Sequence, residues 1–354
     1  MEFLVDYGSF LLKAATIVVA ILIVVGGMIA LSSKGNRRKP EGELVIKKLN
    51  DELNDHKEQI EDAIFEEEQL KKLDKERSKE EKNKAKATKK RVKDGLKEDE
   101  QRKRVYVLDF DGDIKASEVE LTRKEITAIL TMATKDDEVV IRLESGGGMV
   151  HSYGLAASQL KRIKDKGIPL TVCVDRVAAS GGYMMACIAN RLVAAPFAIV
   201  GSIGVVAQMP NFHKLLKKHD VDFELFTAGE YKRTVTMFGY NSAKAKDKFQ
   251  HDLEDTHELF KHHVTTFRPQ VDIDAVATGD IWYGQQAIDN RLIDEVGTSD
   301  DYLAAACERA DVYTVRYEYK KTLQERIGMS VQAGIEAAVT KLMTAANKQM
   351  QSKG

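Results

Sequence analysis

Between residues 104 and 319 the chain alternates short β-rich runs with helical patterns, and this alternation restricts the fold more than any other feature. The runs are Val105-Tyr106-Val107-Leu108, Val139-Val140-Ile141-Arg142-Leu143, Leu170-Thr171-Val172-Cys173-Val174 and Arg191-Leu192-Val193-Ala194. Helical stretches lie between them, around Thr122 to Thr134 and Tyr153 to Lys164. Strand-helix-strand order implies βαβ units, and therefore a largely parallel sheet with helices packed on it. The expected fold is an α/β domain over 104–319.

The remaining sequence divides by composition. After a short tail over 1–8, Phe10 to Leu31 is apolar apart from Lys13 and Thr16, long enough to cross a hydrocarbon core of roughly 30 Å. A transmembrane helix over 9–32 is expected. A cleaved signal peptide fits less well, because Glu2 and Asp6 stand where positive charge would lead. Lys34, Arg37, Arg38 and Lys39 follow directly, and the positive-inside rule places them, with everything after them, on the cytoplasmic side. Residues 33–103 are mostly charged, and from Lys47 to Arg104 the single aromatic residue is Phe65. Such a juxtamembrane segment cannot bury a core. A solvated, partly disordered spacer is expected, although Leu49, Leu53, Ile60, Ala63 and Leu70 would allow an amphipathic helix or weak coiled coil. Over 320–354, Ile327, Val331, Ile335, Val339 and Leu342 recur at near-helical spacing before a polar tail. Val177 to Met209 is apolar enough to suggest a second span, but Asn190, Arg191 and Pro196 interrupt it. It is read as turns of the α/β core.

Composition excludes several classes. The 54 basic and 55 acidic residues balance, leaving no global charge for a nucleic-acid partner. Cys173, Cys187 and Cys307 are odd in number and contain no C-x-x-C, which argues against disulfides and zinc. Neither nucleotide-binding glycine fingerprint is present, and no cofactor is expected.

Two segments carry candidate chemistry. Glu144-Ser145-Gly146-Gly147-Gly148 ends one strand and precedes a helix, so its glycines can turn sharply and present unhindered N–H groups. Thirty residues on, Ser180 stands among small residues at a strand end that leads into an apolar helix. A serine there meets the positive end of the helix dipole, where a developing oxyanion is stabilised. An ordinary N-cap serine satisfying the Tyr183 N–H is an equal alternative on these residues alone. A nucleophilic serine needs a base. His151, His213 and His219 lie where surface or satisfied histidines are expected. A lysine can serve instead once burial brings its pKa down from about 10.4 toward 7 or 8.

Ala179-Ser180-Gly181-Gly182, Gly201-Ser202-Ile203-Gly204-Val205 and Gly229-Glu230-Tyr231-Lys232 together resemble the signal peptide peptidase family of serine proteases, peptidase family S49. Asp280-Ile281-Trp282-Tyr283-Gly284-Gln285-Gln286-Ala287 extends a resemblance that covers nearly the whole chain. It implies a ClpP/crotonase-like sheet, Ser180 as nucleophile, Lys232 as base and Ser202 as a hydrogen-bonding support for the lysine. The oxyanion hole would comprise the N–H groups of Gly181 and Gly147. The implied reaction is peptide hydrolysis through an acyl-enzyme with neither metal nor cofactor. Expected substrates are signal-peptide remnants or unfolded and membrane-derived polypeptides, and the expected assembly is a ring-like homo-oligomer in the bacterial inner membrane. The chain departs from the family at Glu144 and Gly146, where asparagine and proline are usual. Two other classes compete. A crotonase-like acyl-CoA enzyme would rely on acidic groups beside the glycines, and Glu144 is the only one at hand. A catalytically silent membrane scaffold would have no use for serine, lysine and oxyanion glycines together.

Overall fold

Apolar side chains occupy both faces of the runs at 105–108, 139–143 and 170–174, so each strand has to be covered on two sides. In the computed structural model, which describes residues 13, 42–93 and 103–319, these runs form the centre of a ten-stranded sheet. The chain enters through β1 (Gly42–Lys48), α1 (Leu49–Ile64) and α2 (Glu67–Lys93). It continues through β2 (Arg104–Gly112), α3 (Val119–Ile129), β3 (Glu138–Ser145), α4 (Val150–Asp165), β4 (Leu170–Val174) and β5 (Val177–Ala179). Next come α5 (Gly181–Ala186), β6 (Arg191–Ala194), β7 (Ile199–Gly201), α6 (His213–Lys218) and α7 (Ala243–Phe267). The described part closes with α8 (Ile273–Val276), β8 (Ile281–Tyr283), α9 (Gly284–Ala287), β9 (Glu295–Val296), α10 (Ser299–Arg309) and β10 (Asp311–Tyr319).

The strand order is β1-β10-β2-β3-β4-β6-β9, with β5 branching off between β3 and β7 and β8 beyond β7. From β10 to β9 the ladder is parallel, and only the β7–β8 pair is antiparallel among the registers described. Strand alternation sorts the side chains into two layers. Val105, Val107, Val140 and Val193 face Leu303 and Ala306 of α10. Tyr106, Leu108, Ile141 and Leu143 face Ile126 of α3, Leu160 and Ile163 of α4. Each such buried side chain stabilises by about 1.5–3 kcal/mol, so the two-sided core holds the sheet without help from helix propensity.

Local signals set the helix starts. The Ser242 side chain caps α7 by accepting from Ala245 N at 3.1 Å. Thr298 caps α10 from Asp301 N at 3.1 Å, with Asp300 and Asp301 in its first turn, where carboxylates favour the helix dipole. The far end of α7 is tied down by Arg268, which is 2% exposed and donates to Asp294 Oδ1 at 2.8 Å and Oδ2 at 3.1 Å. A guanidinium that deeply buried is tolerable only with its charge met.

The charged region upstream of 104 differs from the expected spacer. β1 adds a strand beside β10, and α1 and α2 are separate helices that break at Phe65. Arg77 of α2 reaches back to Glu58 and Glu61 of α1. Asn50 explains why this segment is held: its Nδ2 donates to Cys307 O and Ala310 O at 2.9 and 3.0 Å, and its Oδ1 accepts from Val312 N at 2.8 Å. These three bonds join the β1–β10 pairing, the Lys48–Asp311 ion pair at 3.2 Å and the packing of Leu49 on the core in attaching the start of the segment. The stretch 177–209, which hydropathy makes ambiguous, is divided among β5, α5, β6 and β7 of the sheet. No helix among the described residues is long and apolar enough to cross a membrane. The expected transmembrane helix over 9–32, apart from Lys13, and the C-terminal amphipathic helix over 320–354 lie outside the described residues.

Candidate active site

Two registers build the site. Ser145 of β3 pairs with Ala178 of β5, so the glycine that follows Ser145 by two residues comes level with Ser180. Ala179 of β5 pairs with Gly201 of β7, which brings Ser202 alongside Ser180. The Ser180 N–H donates to Gly201 O at 2.8 Å, and Ser180 O accepts from Met184 N at 2.9 Å. Ser180 thus ends a strand and begins a helix within one residue.

That turn holds the backbone in an unusual conformation. Ser180 has φ 52 and ψ −117, in the left-handed half of the map that a residue with a Cβ avoids. Ser202 has φ 49, Gly201 has φ 91 and Gly147 has φ 87. Left-handed residues outside glycine cost of order 1–3 kcal/mol each and persist only where surroundings over-determine them. Tight packing supplies that constraint. A Cβ on Gly147 would stand 2.8 Å from the Ser180 Cβ, and one on Gly181 would stand 2.4 Å from the Tyr153 ring. Only glycine allows the loop, the serine and α5 to approach this closely.

The base of the glycine loop is locked from below. Ser145, 2% exposed, places its Oγ 2.5 Å from Tyr153 Oη, which donates to Asp113 O at 2.7 Å. The Gly147 N–H donates to the same Ser145 Oγ at 3.0 Å. Glu144 meets Arg176 at 2.9 Å, joining the loop to the turn that precedes β5. Gly181, as the first residue of α5, has an N–H with no acceptor inside its helix.

Ser180, Gly181 and Gly148 border a cavity of about 200 Å³ walled mainly by Val150, Met184, Val205, Leu259 and Phe260. Thr256 and His263 are its polar members. Burial keeps the His263 imidazole below its ordinary pKa, so at neutral pH it carries one proton. That proton sits on Nε2, which lies 2.9 Å from Met184 O and has to donate to it. Cys187, behind α5, is inert, its thiol pushed up to about 12 by burial.

The expected site residues do not all meet. Ser180, Gly181, Gly147 and Ser202 converge, with the Ser202 Oγ turned to Gly279 O at 3.4 Å. Lys232 does not line the cavity; it is exposed, and its Nζ has no hydrogen bond or ion pair among the described residues. Residues 204–242, which carry it, include no buried residue. Of the histidines considered from sequence, His151 and His219 are exposed and His213 packs on Tyr240 at 5.8 Å. The histidine at the cavity is His263, hidden within the long polar helix pattern of α7. Ser145 and Tyr153 were equally illegible, because their role depends on a hydrogen bond between side chains on different elements.

A model of the peptidase family S49 N-terminal region matches residues 2–160, and a model of peptidase family S49 matches residues 162–313. The chain belongs to peptidase family S49. It is accordingly a peptidase, of the serine type. The probable protease SohB of Haemophilus influenzae is 51% identical over 328 residues, covering 92% of each chain. The probable protease SohB of Buchnera aphidicola is 52% identical over 241 residues, covering 68% of this chain and 72% of the relative. Among solved structures, the 1510-N membrane-bound stomatin-specific protease aligns with a TM-score of 0.38 at 14% identity, covering 58% of this chain and 84% of the other.

Proposed function

We propose that this chain is a membrane-anchored endopeptidase that hydrolyses peptide bonds through an acyl-enzyme on Ser180, with Lys232 as general base. The observation that carries the reading is the Ser180 turn, which presents a strained serine at the mouth of an apolar cavity between a glycine loop and a helix N-terminus. Ser180 Oγ attacks the substrate carbonyl while Lys232 takes its proton, and the same lysine, now protonated, delivers that proton to the leaving amine. Water activated by Lys232 then releases the acyl group. The Gly181 N–H is available to the oxyanion. Gly147 would serve as the second donor by exchanging Ser145 Oγ for the oxyanion, a small change because the loop already lies against Ser180. Ser202 would hold the lysine amine.

A lysine works as a base only when desolvated, and Lys232 is exposed in a single chain. In a ring-like homo-oligomer, a neighbouring subunit would cover the segment 204–242. That segment exposes Val206, Phe226 and Tyr240 at 77%, 88% and 75%, an apolar surface that a monomer has no reason to keep. The apolar cavity favours small or hydrophobic side chains, as signal-peptide remnants and membrane-derived or unfolded polypeptides carry. A membrane anchor over 9–32, with the catalytic domain on the cytoplasmic side of a bacterial inner membrane, belongs to the same reading.

Casein hydrolysis by the detergent-solubilised protein tests it. Ser180→Ala and Lys232→Ala should each lower the rate by on the order of a thousandfold or more with the oligomer intact. Activity surviving either substitution would remove that residue from the mechanism.

A further inference from the structure

The motif Asp280 to Ala287 has no role in the hydrolytic scheme, and the structure puts its first residues, with Gly279, directly beside the Ser180 turn. β8 runs antiparallel to β7, with Val200 opposite Trp282 and Gly201 opposite Ile281. Ser202 is hung from this segment: its N–H donates to Asp280 O at 2.7 Å and its Oγ to Gly279 O at 3.4 Å. Gly201, whose carbonyl receives the Ser180 N–H, rests on the Trp282 ring. A Cβ added to Gly201 would stand 2.8 Å from Trp282 Cδ1 and 3.5 Å from Nε1.

The three side chains of β8 are not equivalent. Ile281 and Tyr283 are 47% and 43% exposed, while Trp282 turns inward and packs against the main core. Its Nε1 is buried and has no hydrogen-bond partner among the described residues. A buried N–H left unpaired is unfavourable, so the indole is not there to make a bond. What it contributes is a rigid ring whose Cδ1–Nε1 edge fills the place where a side chain on Gly201 would stand. The ladder pairs to Ala179 and Ile281 and the Ser202 bonds to the 279–280 backbone hold Gly201 (φ 91) and Ser202 (φ 49) from the sides, and the indole closes the space that a side chain on Gly201 would occupy.

We propose that Trp282 is a positioning residue for the catalytic turn: its ring is the stop against which Gly201 seats, and Gly201 in turn fixes the backbone of Ser180 and carries Ser202. The inference rests on Ser180 being the nucleophile. A displacement of about 1 Å at a reacting group lowers turnover on the order of a hundredfold while leaving substrate binding nearly unchanged. The consequence belongs to kcat, not KM.

The test uses the full chain with Trp282→Phe, Trp282→Leu and Trp282→Ala, assayed on a quenched fluorescent peptide, with folding checked by circular dichroism and Ser180→Ala as control. The leucine and alanine variants should lose roughly a hundredfold in kcat with KM within about twofold, and phenylalanine, which keeps a flat ring, should recover to within about tenfold of wild type. A folded leucine or alanine variant with wild-type kcat, a loss confined to KM, or a phenylalanine variant as impaired as leucine would overturn the proposal. Should the smaller substitutions fail to fold, wild-type emission still decides it, because Trp282 is the single tryptophan of the chain. Reaction of Ser180 with a fluorophosphonate should shift that emission, and an unchanged spectrum would refute the contact. If Ser180→Ala keeps its activity, the assignment of the nucleophile has failed and the inference falls with it; an inactive Ser180→Ala beside folded Trp282 variants of wild-type kcat means that the role of Trp282 alone has failed.

Discussion

Four backbone positions, Gly147, Ser180, Gly201 and Ser202, shape the candidate site, and all four have positive φ. Two are glycines and adopt the conformation freely; the two serines do not. This asymmetry makes the glycines the sensitive positions. Gly147→Ala is expected to abolish peptidase activity, because its methyl group would sit 2.7 Å from Gly181 N and 2.8 Å from Ser180 Cβ. Those neighbours are the backbone of α5 and the proposed nucleophile, which cannot give way without moving the Ser180 turn. Peptide hydrolysis with a thermal melt measures it: lost turnover in a folded protein is the expected result, and full turnover would show that the loop lies elsewhere in the active state.

Among the elements, α3 carries a carboxylate that the mechanism does not use. Glu125 is 5% exposed, and its carboxylate accepts from Tyr317 N at 2.7 Å at the end of β10. Burial, reinforced by Glu118 and Asp109 and opposed by that hydrogen bond and Arg316, raises its pKa from 4.5 to about 7. A raised folded-state pKa contributes stability that is fully present below 4.5 and is lost as pH climbs through about 7. A tenfold difference in proton affinity between the folded and unfolded chain corresponds to about 1.4 kcal/mol. Glu125→Gln keeps the acceptor for Tyr317 and removes the titration. The variant should therefore gain stability over wild type at pH 8 and show no gain near pH 4.5, as read by urea melts across that range. Equal differences at both pH values would mean that Glu125 does not titrate in this window.

For the whole molecule, the contrast is between a fully packed α/β core and the segment 204–242, which has no buried residue and meets α7 through surface contacts such as Glu230 with Lys244 and Tyr231 with Lys248. Phe212, Phe223 and Phe238 form a small ring cluster at 5.9 and 5.8 Å, yet none of the three is buried. If Lys232 completes the site of a neighbouring copy, two inactive proteins can restore one another. Mixing Ser180→Ala with Lys232→Ala under conditions that let subunits exchange should then regenerate hydrolysis, since some interfaces would pair an intact serine with an intact lysine. No recovery in verified mixed oligomers would place both residues of a working site in the same chain.

The parallel α/β core was legible because strand runs that are apolar on both faces admit few other arrangements, and β4 and β6 fall on the residues marked by the β-rich pattern alone. Ser180 was legible as a serine among small residues between a strand and a helix, a local property of a few positions. The charged segment was legible only as either helix or spacer, because its attachment depends on Asn50 reaching the α10–β10 junction, and no local pattern announces a partner that far along the chain. The same holds for Ser145 with Tyr153, for His263 at the cavity and for Trp282 under Gly201. Sequence periodicity by itself determined the α/β class and the four central parallel strands, since those follow from which faces must be buried. Only the tertiary structure decided which residues support the nucleophile, because strand register and close packing, set by contacts distant in sequence, determine what lies beside it.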